Sequence, residues 1–147
     1  MITFNYINTN RRPIQIKALK KSIAFLFARE KKVVEAVHYI FCSDDFLLDI
    51  NRTYLQHDYF TDIITFPFSE DKSPVLADIY ISLDRVFENS QSLNVSFQNE
   101  LRRVVFHGAL HLCGYKDKNK DQVKRMRNKE DEYLILTHPL FSRGTIE

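Results

Sequence analysis

Apolar and polar residues alternate along this chain with two periods, one typical of strands and one typical of helices. Near the start, Ile2, Phe4 and Tyr6 are separated by single residues, a spacing that indicates a half-buried strand. After Pro13, apolar residues recur once per helical turn over residues 14–29, while lysines occupy the opposite side. That second pattern predicts an amphipathic helix.

The same two patterns predict the remaining elements. They are a strand over residues 33–42, a helix over 43–55, strands over 62–66 and 75–83, a helix ending before Asn94, a helix capped by Ser96 and a last helix over 119–137. The polar connection over residues 69–74 is short and predicts an antiparallel pair, whereas the earlier helical crossovers predict parallel pairing. We therefore expect a single α+β domain over residues 1–147, with a mixed four-stranded sheet, one antiparallel pair and about five helices.

The bulk composition is that of a soluble globular protein. The chain has 147 residues, of which 44% are hydrophobic and 27% are charged, and this length is sufficient to bury a sizeable core. No basic and apolar leader precedes the first strand, and no apolar run approaches the ~20 residues that cross a bilayer. The two cysteines form no C-x-x-C pair, which is typical of a reducing compartment. We therefore expect a cytoplasmic protein with no membrane partner.

Positive charge is concentrated in one segment of the chain. The formal net charge is only +2, which by itself does not indicate a nucleic-acid binder. Between residues 116 and 129, however, basic residues outnumber acidic ones by seven to two. The basic residues of this segment are Lys116, Lys118, Lys120, Lys124, Arg125, Arg127 and Lys129. Such a cluster favours an anionic substrate, and the alternative is a solvated helix face.

The stretch HGALHLCGYKD, residues 107–117, contains candidate metal ligands. His107 and His111 are four residues apart, so on a helix both imidazoles project from one face and can reach a single ion. Gly114 is suited to end that helix because glycine reverses the chain without steric cost, and the reversed chain can return Asp117 to the same face. Two nitrogens, one oxygen and an open fourth position are typical of a catalytic zinc site. The alternative is a pair of histidines that lie four apart by chance.

This spacing is similar to the zinc-protease motif H-E-x-x-H-x-x-G-x-x-H, with one difference. In the proteases, the general-base glutamate follows the first histidine. Gly108 occupies that position here and has no side chain. The pattern thus predicts a metalloprotease-like zinc helix without the peptidase base. Cys113 lies two residues after His111 and so faces another side of the helix, where we expect a small core residue rather than a ligand.

Three stretches resemble one family in the same order along the chain. Residues 107–117 resemble the signature HGxLHLxGYDH of the YbeY family, the bacterial rRNA-maturation endoribonucleases. Residues 51–68 (NRTYLQHDYFTDIITFPF) resemble its segment LNxxYRxxDxPTDVLSFP, and residues 77–82 (ADIYIS) resemble its strand GDIxIS. Met126, followed by Glu130 and Glu132, fits the family's tail after the metal motif.

The resemblance implies a single-strand-specific, zinc-dependent endoribonuclease that acts in 16S rRNA 3′-end maturation and ribosome quality control. It implies one Zn2+ per chain, held by His107, His111 and Asp117 in a groove that faces RNA with a basic surface. The implied partners are ribosomal RNA and the small ribosomal subunit with its assembly or quality-control factors, and neither DNA nor a membrane is expected. The side chains that we expect to bind RNA are Lys116, Lys118, Lys120, Lys124 and Arg125.

The chain departs from the family pattern at two positions. Asp117 replaces the family's third histidine, and its metal role is retained because an aspartate oxygen binds zinc at about the same distance as a histidine nitrogen. Leu55 replaces an arginine whose contact with phosphate a leucine cannot make, and Arg52 is a nearby candidate to substitute for it. No residue is identified as the general base. Two alternatives stay open, a non-catalytic ribosome-assembly factor with structural zinc and a metallopeptidase.

Overall fold

The computed structural model of the chain describes residues 1–146, with side chains through residue 142. The strands are β1 (Ile2–Ile7), β2 (Val34–Cys42), β3 (Ile63–Pro67) and β4 (Val75–Ser82). The helices are α1 (Ile16–Arg29), α2 (Asp44–Leu55), α3 (Leu83–Leu93), α4 (Phe97–Leu112) and α5 (Lys120–Ile146). Over the described residues, none of these helices has both the length and the apolar character needed to cross a membrane.

The strands form one mixed sheet in the order β1-β2-β4-β3. β1 pairs with β2, and β2 with β4, in parallel, so that Phe4 lies beside Tyr39 and Tyr39 beside Ile79. β3 runs antiparallel to β4, with Ile63 opposite Ile81. The β-branched and aromatic residues of β2 and β4 suit these central positions, where both faces of a strand are covered. The expected α+β fold, with a four-stranded mixed sheet and one antiparallel pair, is confirmed.

Short polar side chains begin three helices at the predicted positions. At the start of α4, the Ser96 hydroxyl accepts a hydrogen bond from the Asn99 amide at 3.0 Å. At the start of α5, Asn119 Oδ1 accepts a hydrogen bond from the Gln122 amide at 2.9 Å, and Ser43 caps α2 in the same way. Each bond satisfies a backbone amide that the first helical turn leaves without a partner. Local sequence therefore fixes where α4, the helix of the histidine pair, begins.

The two faces of the sheet are covered by different helices. Tyr39 of β2, Leu26 of α1, Val105 of α4 and Tyr133 of α5 are fully buried in the larger core. Within it, the Tyr39 hydroxyl donates a hydrogen bond to the Val105 carbonyl oxygen at 3.0 Å. Alternate residues of the strands point to the other face, where α2 packs a smaller core through Leu47. Because α4 lies within the larger core, its position against the sheet is set by packing.

The last helix is longer than the sequence predicted. A proline inside a helix removes one hydrogen bond and clashes with the preceding turn, so an end near residue 137 was expected, yet α5 continues through Pro139 to Ile146. Beyond the proline, Phe141 is buried, and the Arg102 guanidinium carbon lies 4.2 Å from the centroid of its ring. Gln15 Nε2 also donates a hydrogen bond to the Phe141 carbonyl oxygen at 2.9 Å. These tertiary contacts hold the helical segment after Pro139, and the predicted end was wrong.

Candidate metal centre and its groove

Three candidate ligand atoms converge at the C-terminal end of α4. His107 and His111 project from the same face, and their Nε2 atoms are 3.0 Å apart. Gly114 has a positive φ of 102°, and the turn that it makes returns Asp117 to this face. Asp117 Oδ2 lies 3.3 Å from the His107 Nε2 and 3.2 Å from the His111 Nε2. The structure thus brings together the three side chains indicated by the spacing, as one group that can hold a metal ion.

The size of this triangle of atoms fits a tetrahedral zinc ion. Zn–N and Zn–O bonds are about 2.0–2.2 Å long, so two ligand atoms of a zinc tetrahedron are about 3.3 Å apart. The three distances between the ligand atoms are 3.0, 3.2 and 3.3 Å, which agree with that value. Three protein ligands leave a fourth position for water or substrate, as in catalytic zinc sites. Imidazole and carboxylate donors also bind other divalent transition metals.

Each histidine is oriented by a hydrogen bond from its second ring nitrogen. Nδ1 of His107 lies 2.7 Å from Glu130 Oε2, and Nδ1 of His111 lies 3.0 Å from the Tyr115 carbonyl oxygen. A carbonyl oxygen and an ionised carboxylate can only accept, so both Nδ1 atoms carry the proton. In a neutral ring, Nε2 then has a free lone pair, and the two lone pairs point toward the shared position. Such contacts fix the tautomer and strengthen metal binding.

Glu130 is a buried carboxylate shared between His107 and Arg103. Its side chain is 5% exposed, and its Oε1 lies 2.9 Å from Arg103 Nη1. Burial alone would raise the pKa of Glu130, but the hydrogen bonds and charges of His107 and Arg103 lower it. Burial alone would lower the pKa of His107, but Glu130, with a contribution from Asp117, raises it. Glu130 therefore remains ionised and favours a cation at the histidine pair.

Gly108 is buried where α4 lies closest to the sheet. A Cβ atom at this position would be 2.9 Å from Ile63 Cδ1 and 3.2 Å from both Cδ1 and Cγ2 of Ile79. The side chain of a glutamate, which the zinc proteases have at this position, would extend into these two residues. The lack of a protease-type base is therefore a consequence of how α4 packs on β3 and β4.

His107 and Asp117 line a groove of about 930 Å3 between α4 and the start of α5. Three lysines of the basic segment line the same groove, namely Lys118, Lys120 and Lys124. In the part of the chain that the structure describes, none of these three ammonium groups forms an ion pair. Two other residues predicted to bind RNA, Lys116 and Arg125, line a separate cavity, and the Arg125 guanidinium carbon lies 5.3 Å from the Tyr115 ring centroid. The structure thus divides the five predicted residues between two cavities.

Leu55 and Arg52 both lie outside the residues that line this groove. Leu55 is exposed, and Arg52 forms ion pairs with Asp58 at 2.5 Å and with Asp49 at 3.9 Å. Arg103, four residues before His107 on α4, lines the groove instead. The guanidinium next to the candidate ligands therefore comes from α4 and not from the segment that carries the family's arginine, and it is already paired with Glu130 and Asp131.

Cys113 and His57 lie outside the ligand group. Cys113 packs against the larger core, and burial raises the pKa of its thiol to about 12. A thiol at neutral pH is a poor metal ligand because the thiolate is the binding form, which agrees with a core role. His57 is exposed and stacks on Tyr59, with ring centroids 5.1 Å apart, away from the groove.

Local spacing did not reveal Glu130 as a partner of His107. The two residues are 23 positions apart and belong to different helices. One signal was present in α5, because Met126, Glu130 and Tyr133 recur at helical spacing and all three are buried. A carboxylate on the apolar face of a helix requires a partner. The spacing therefore indicates that Glu130 has a functional or structural contact, although it does not identify the partner residue.

A family model matches most of this chain, from residue 5 to residue 137, and it describes endoribonuclease YbeY. The chain belongs to the YbeY endoribonuclease family. It is 47% identical to endoribonuclease YbeY of Cytophaga hutchinsonii over 126 residues, or 86% of each chain. It is 44% identical to endoribonuclease YbeY of Flavobacterium psychrophilum over 139 residues, which are 94% of this chain and 97% of that relative. The resemblance found in the three sequence stretches is thereby confirmed.

The architecture also matches a solved member of the same fold. The solution structure of TM1509 from Thermotoga maritima superposes with a TM-score of 0.71 at 27% sequence identity. The match covers 96% of this chain and 93% of that one. The overall fold of this chain is therefore similar to one already seen in a solved structure.

Proposed function

We propose that this protein is a zinc-dependent endoribonuclease that hydrolyses single-stranded RNA. The observation that carries the proposal is one groove in which two kinds of group meet. His107 and Asp117, which form the ligand group together with His111, line it, and so do three lysines without an ion-pair partner among the described residues. An ion and a row of ammonium groups suit a polyanionic substrate. The names of the relatives, all endoribonuclease YbeY, support RNA as that polyanion.

Each residue of the site has a role in this proposal. His107, His111 and Asp117 hold the ion, and Glu130 and the Tyr115 carbonyl oxygen keep the two imidazoles in the binding tautomer. Zinc bound there would act as a Lewis acid toward a phosphodiester oxygen. The groove lysines bind the phosphates that flank the cleaved bond. Such contacts position the RNA without reading its bases, as expected for an enzyme selective for single strands.

We assign the activity to ribosome biogenesis. The substrate in this proposal is the 3′ end of 16S rRNA, and the same enzyme takes part in ribosome quality control. Its partners are then the small ribosomal subunit and the assembly or quality-control factors bound there, and its compartment is the cytoplasm. The support is membership of the YbeY family, whose two signature histidines the chain retains as His107 and His111, with Asp117 as the third candidate ligand.

Cleavage of a defined single-stranded RNA by purified protein tests the proposed activity. We expect zinc-dependent cleavage by the wild type and none by His111→Ala, which removes one of the three ligands. His57→Ala, prepared in the same way, is the matched control because His57 is an exposed histidine outside the groove. Equal cleavage by all three preparations would indicate a contaminating ribonuclease and would contradict the proposal.

A second candidate function is a ribosome-assembly factor that binds zinc and RNA without cleaving RNA. It is favoured by Leu55, which replaces the family's arginine, and by the ion pairs that occupy Arg52. Tight, zinc-dependent RNA binding without any cleavage would support it. A metallopeptidase is disfavoured because the packing of Gly108 against Ile63 and Ile79 leaves no room for the protease base.

A further inference from the structure

Four carboxylates line the groove, of which two already have a place in the site and a third lies away from the candidate ligands. They are Asp62, Glu100, Asp117 and Glu130. Asp117 belongs to the ligand group, and Glu130 is bound to His107 and Arg103. Glu100 lies in the first turn of α4, seven residues before His107, or about 10 Å along the helix axis. Asp62 is the remaining carboxylate.

The backbone holds Asp62 at the point where β3 meets the metal helix. Its carbonyl oxygen accepts a hydrogen bond from the Ser82 amide at 2.9 Å, which anchors the start of β3 to the end of β4. The next residue, Ile63, packs against Gly108 on α4, and Gly108 follows His107 directly. Asp62 therefore lies next to the part of α4 that carries His107 and Gly108, and it lines the groove.

Among the described residues, the Asp62 carboxylate does not hold another side chain in place. Over the described side chains, no hydrogen bond or ion pair joins it to another side chain, and its hydrogen bonds are to the backbone of Asp62 and Ile63. A partly buried carboxylate without a side-chain partner lowers the stability of the fold. Such groups are therefore concentrated at functional sites. Here Asp62 is one of the residues that line the groove in which a phosphodiester would bind.

We infer that Asp62 is a catalytic residue, the general base that removes a proton from the attacking water. The inference rests on the proposed function, because it supplies the base that the endoribonuclease reaction requires. In the zinc proteases, a glutamate on the metal helix performs this task. In this protein that position is Gly108, which is packed against Ile63 at the start of β3. Asp62, which directly precedes Ile63, provides the carboxylate instead.

The step balances without any further reactant. The water oxygen forms a new bond to phosphorus as one of its protons passes to an Asp62 carboxylate oxygen. The bond between phosphorus and the leaving ribose oxygen breaks, and that oxygen takes a proton from solvent. Asp62 returns its proton to solvent, so one water is consumed for each phosphodiester bond cleaved. The groove lysines hold charge complementary to the phosphate throughout.

The electrostatic surroundings of Asp62 suit a base. Burial raises its pKa above the ordinary value of 3.8, although the charge of His107 acts in the opposite direction. A carboxylate that binds protons more strongly is the better acceptor while it remains ionised at neutral pH. The charged groups that act on Asp62 are His107 and Glu100 of α4, Glu130 of α5 and Arg85 of α3.

Single-turnover cleavage of a single-stranded RNA oligonucleotide by the zinc-loaded Asp62→Asn variant tests this role. We expect a rate at least about 100-fold below that of the wild type, the contribution typical of a general base. Asp71→Asn is the matched control, since Asp71 is exposed in the β3–β4 connection and does not line the groove. Zinc content should be unchanged, and RNA binding should be equal or tighter, because the substitution removes a negative charge from an anion-binding groove.

A second variant separates a chemical role from a structural one. Asp62→Ala leaves space for a small carboxylate, so added formate should restore part of its cleavage rate and should not do so for His111→Ala. Loss of zinc in Asp62→Asn, or a cleavage rate equal to that of Asp71→Asn, would overturn the inference while the wild-type activity still stood. Failure of formate to rescue Asp62→Ala that is folded and zinc-loaded would also overturn it. An inactive wild type would instead refute the proposed function, and the inference with it.

Discussion

Glu130 of α5 accepts a hydrogen bond from Nδ1 of His107 of α4 at a distance of 2.7 Å. The contact crosses between two helices and joins the candidate metal ligand to a buried carboxylate that also binds Arg103. A histidine held in this way presents its Nε2 lone pair to the ion and gains basicity from the negative charge behind it. The metal affinity of the site therefore depends on the packing of α5 as well as on the histidine motif.

We predict that Glu130→Gln lowers zinc affinity by about 10–100-fold, the usual effect of removing such an outer carboxylate. The amide retains the shape of the side chain but loses the charge that supports His107. Asp131→Asn is the control, because Asp131 binds the other Arg103 nitrogen at 2.6 Å and touches neither histidine. Chelator competition measures both affinities. Equal affinities in the two variants would show that the charge of Glu130 has no influence on the ion.

Substitutions of Asp117 test its place in the ligand group. Asp117→Ala should bind zinc more weakly because one of the three protein ligands is lost. Asp117→His should retain zinc, since it supplies a nitrogen donor at the position where the YbeY signature has histidine. Zinc content after dialysis against a chelator distinguishes the variants. If Asp117→Ala retained wild-type affinity, the carboxylate would be a bystander to the histidine pair.

The sequence predicted the parts of the site that depend on one helix and its turn. His107 and His111 share a face because 3.6 residues complete each turn, Ser96 sets the start of the helix, and the positive φ of Gly114 returns Asp117. Contacts between helices were not predictable in this way. Nothing in local spacing relates Glu130 to His107, since their meeting depends on how α5 crosses α4 in the folded chain.

The end of α5 and the distribution of the basic residues both depend on tertiary structure that the sequence pattern does not show. A proline normally ends a helix, but α5 continues because Phe141, beyond Pro139, is anchored in the core. The basic residues lie in one segment of the sequence, whereas in the structure Lys118 lines the groove and Lys116 lines a different cavity. Composition identifies a charged segment, but the cavity that each basic residue lines is decided by the folded chain, as adjacent Lys124 and Arg125 of α5 show.

Gly108→Ala tests the close packing of α4 on the sheet. The added Cβ would be 2.9 Å from Ile63 Cδ1, and overpacking of this kind costs about 1–3 kcal/mol, of which the better helix propensity of alanine offsets about 1 kcal/mol. We therefore expect lower stability in urea unfolding. Ile63→Val removes Cδ1, so the double variant should recover part of the loss. A strictly additive double-variant cycle would contradict the direct contact between these positions.

Glu30 provides a prediction for the pH dependence of stability. It accepts hydrogen bonds from the hydroxyls of Tyr115 at 2.9 Å and Tyr133 at 2.5 Å, and Lys129 lies 3.2 Å away. Burial alone would raise the pKa of Glu30, but these partners lower it below its ordinary value of 4.5. A lowered carboxyl pKa contributes stability above the ordinary value, and that stability is lost as the pH falls through the pKa of the folded state.

Glu30→Gln should therefore destabilise the protein at neutral pH by about 1–3 kcal/mol, the range for hydrogen bonds to a charged group. The difference from the wild type should shrink as the pH falls below 4.5. Urea unfolding over a pH series measures this difference, with Glu35→Gln as the control because the side chain of Glu35 is exposed. A difference that stayed constant over this series would show that the charge of Glu30 does not contribute.

The groove lysines should govern how tightly the protein binds single-stranded RNA. Lys118, Lys120 and Lys124 line the groove, and none has an ion-pair partner among the described side chains, so each is available to replace a counterion on a phosphate. Each phosphate contact contributes about −0.7 to the slope of the logarithm of the binding constant against the logarithm of the salt concentration. Reversal of all three lysines to glutamate should weaken binding and flatten this slope by about 2.

A control variant with the same change in net charge distinguishes RNA binding by the groove lysines from attraction by the overall charge of the protein. Lys17, Lys20 and Lys21 are exposed on α1 and lie outside the groove, so their reversal to glutamate should lower affinity less and leave the slope nearly unchanged. Zinc content should remain the same in both triple variants, because no ligand is altered. Equal weakening by the two sets would mean that only long-range charge attracts RNA. Wild-type affinity of the groove variant at every salt concentration would identify the three lysines as a solvated surface.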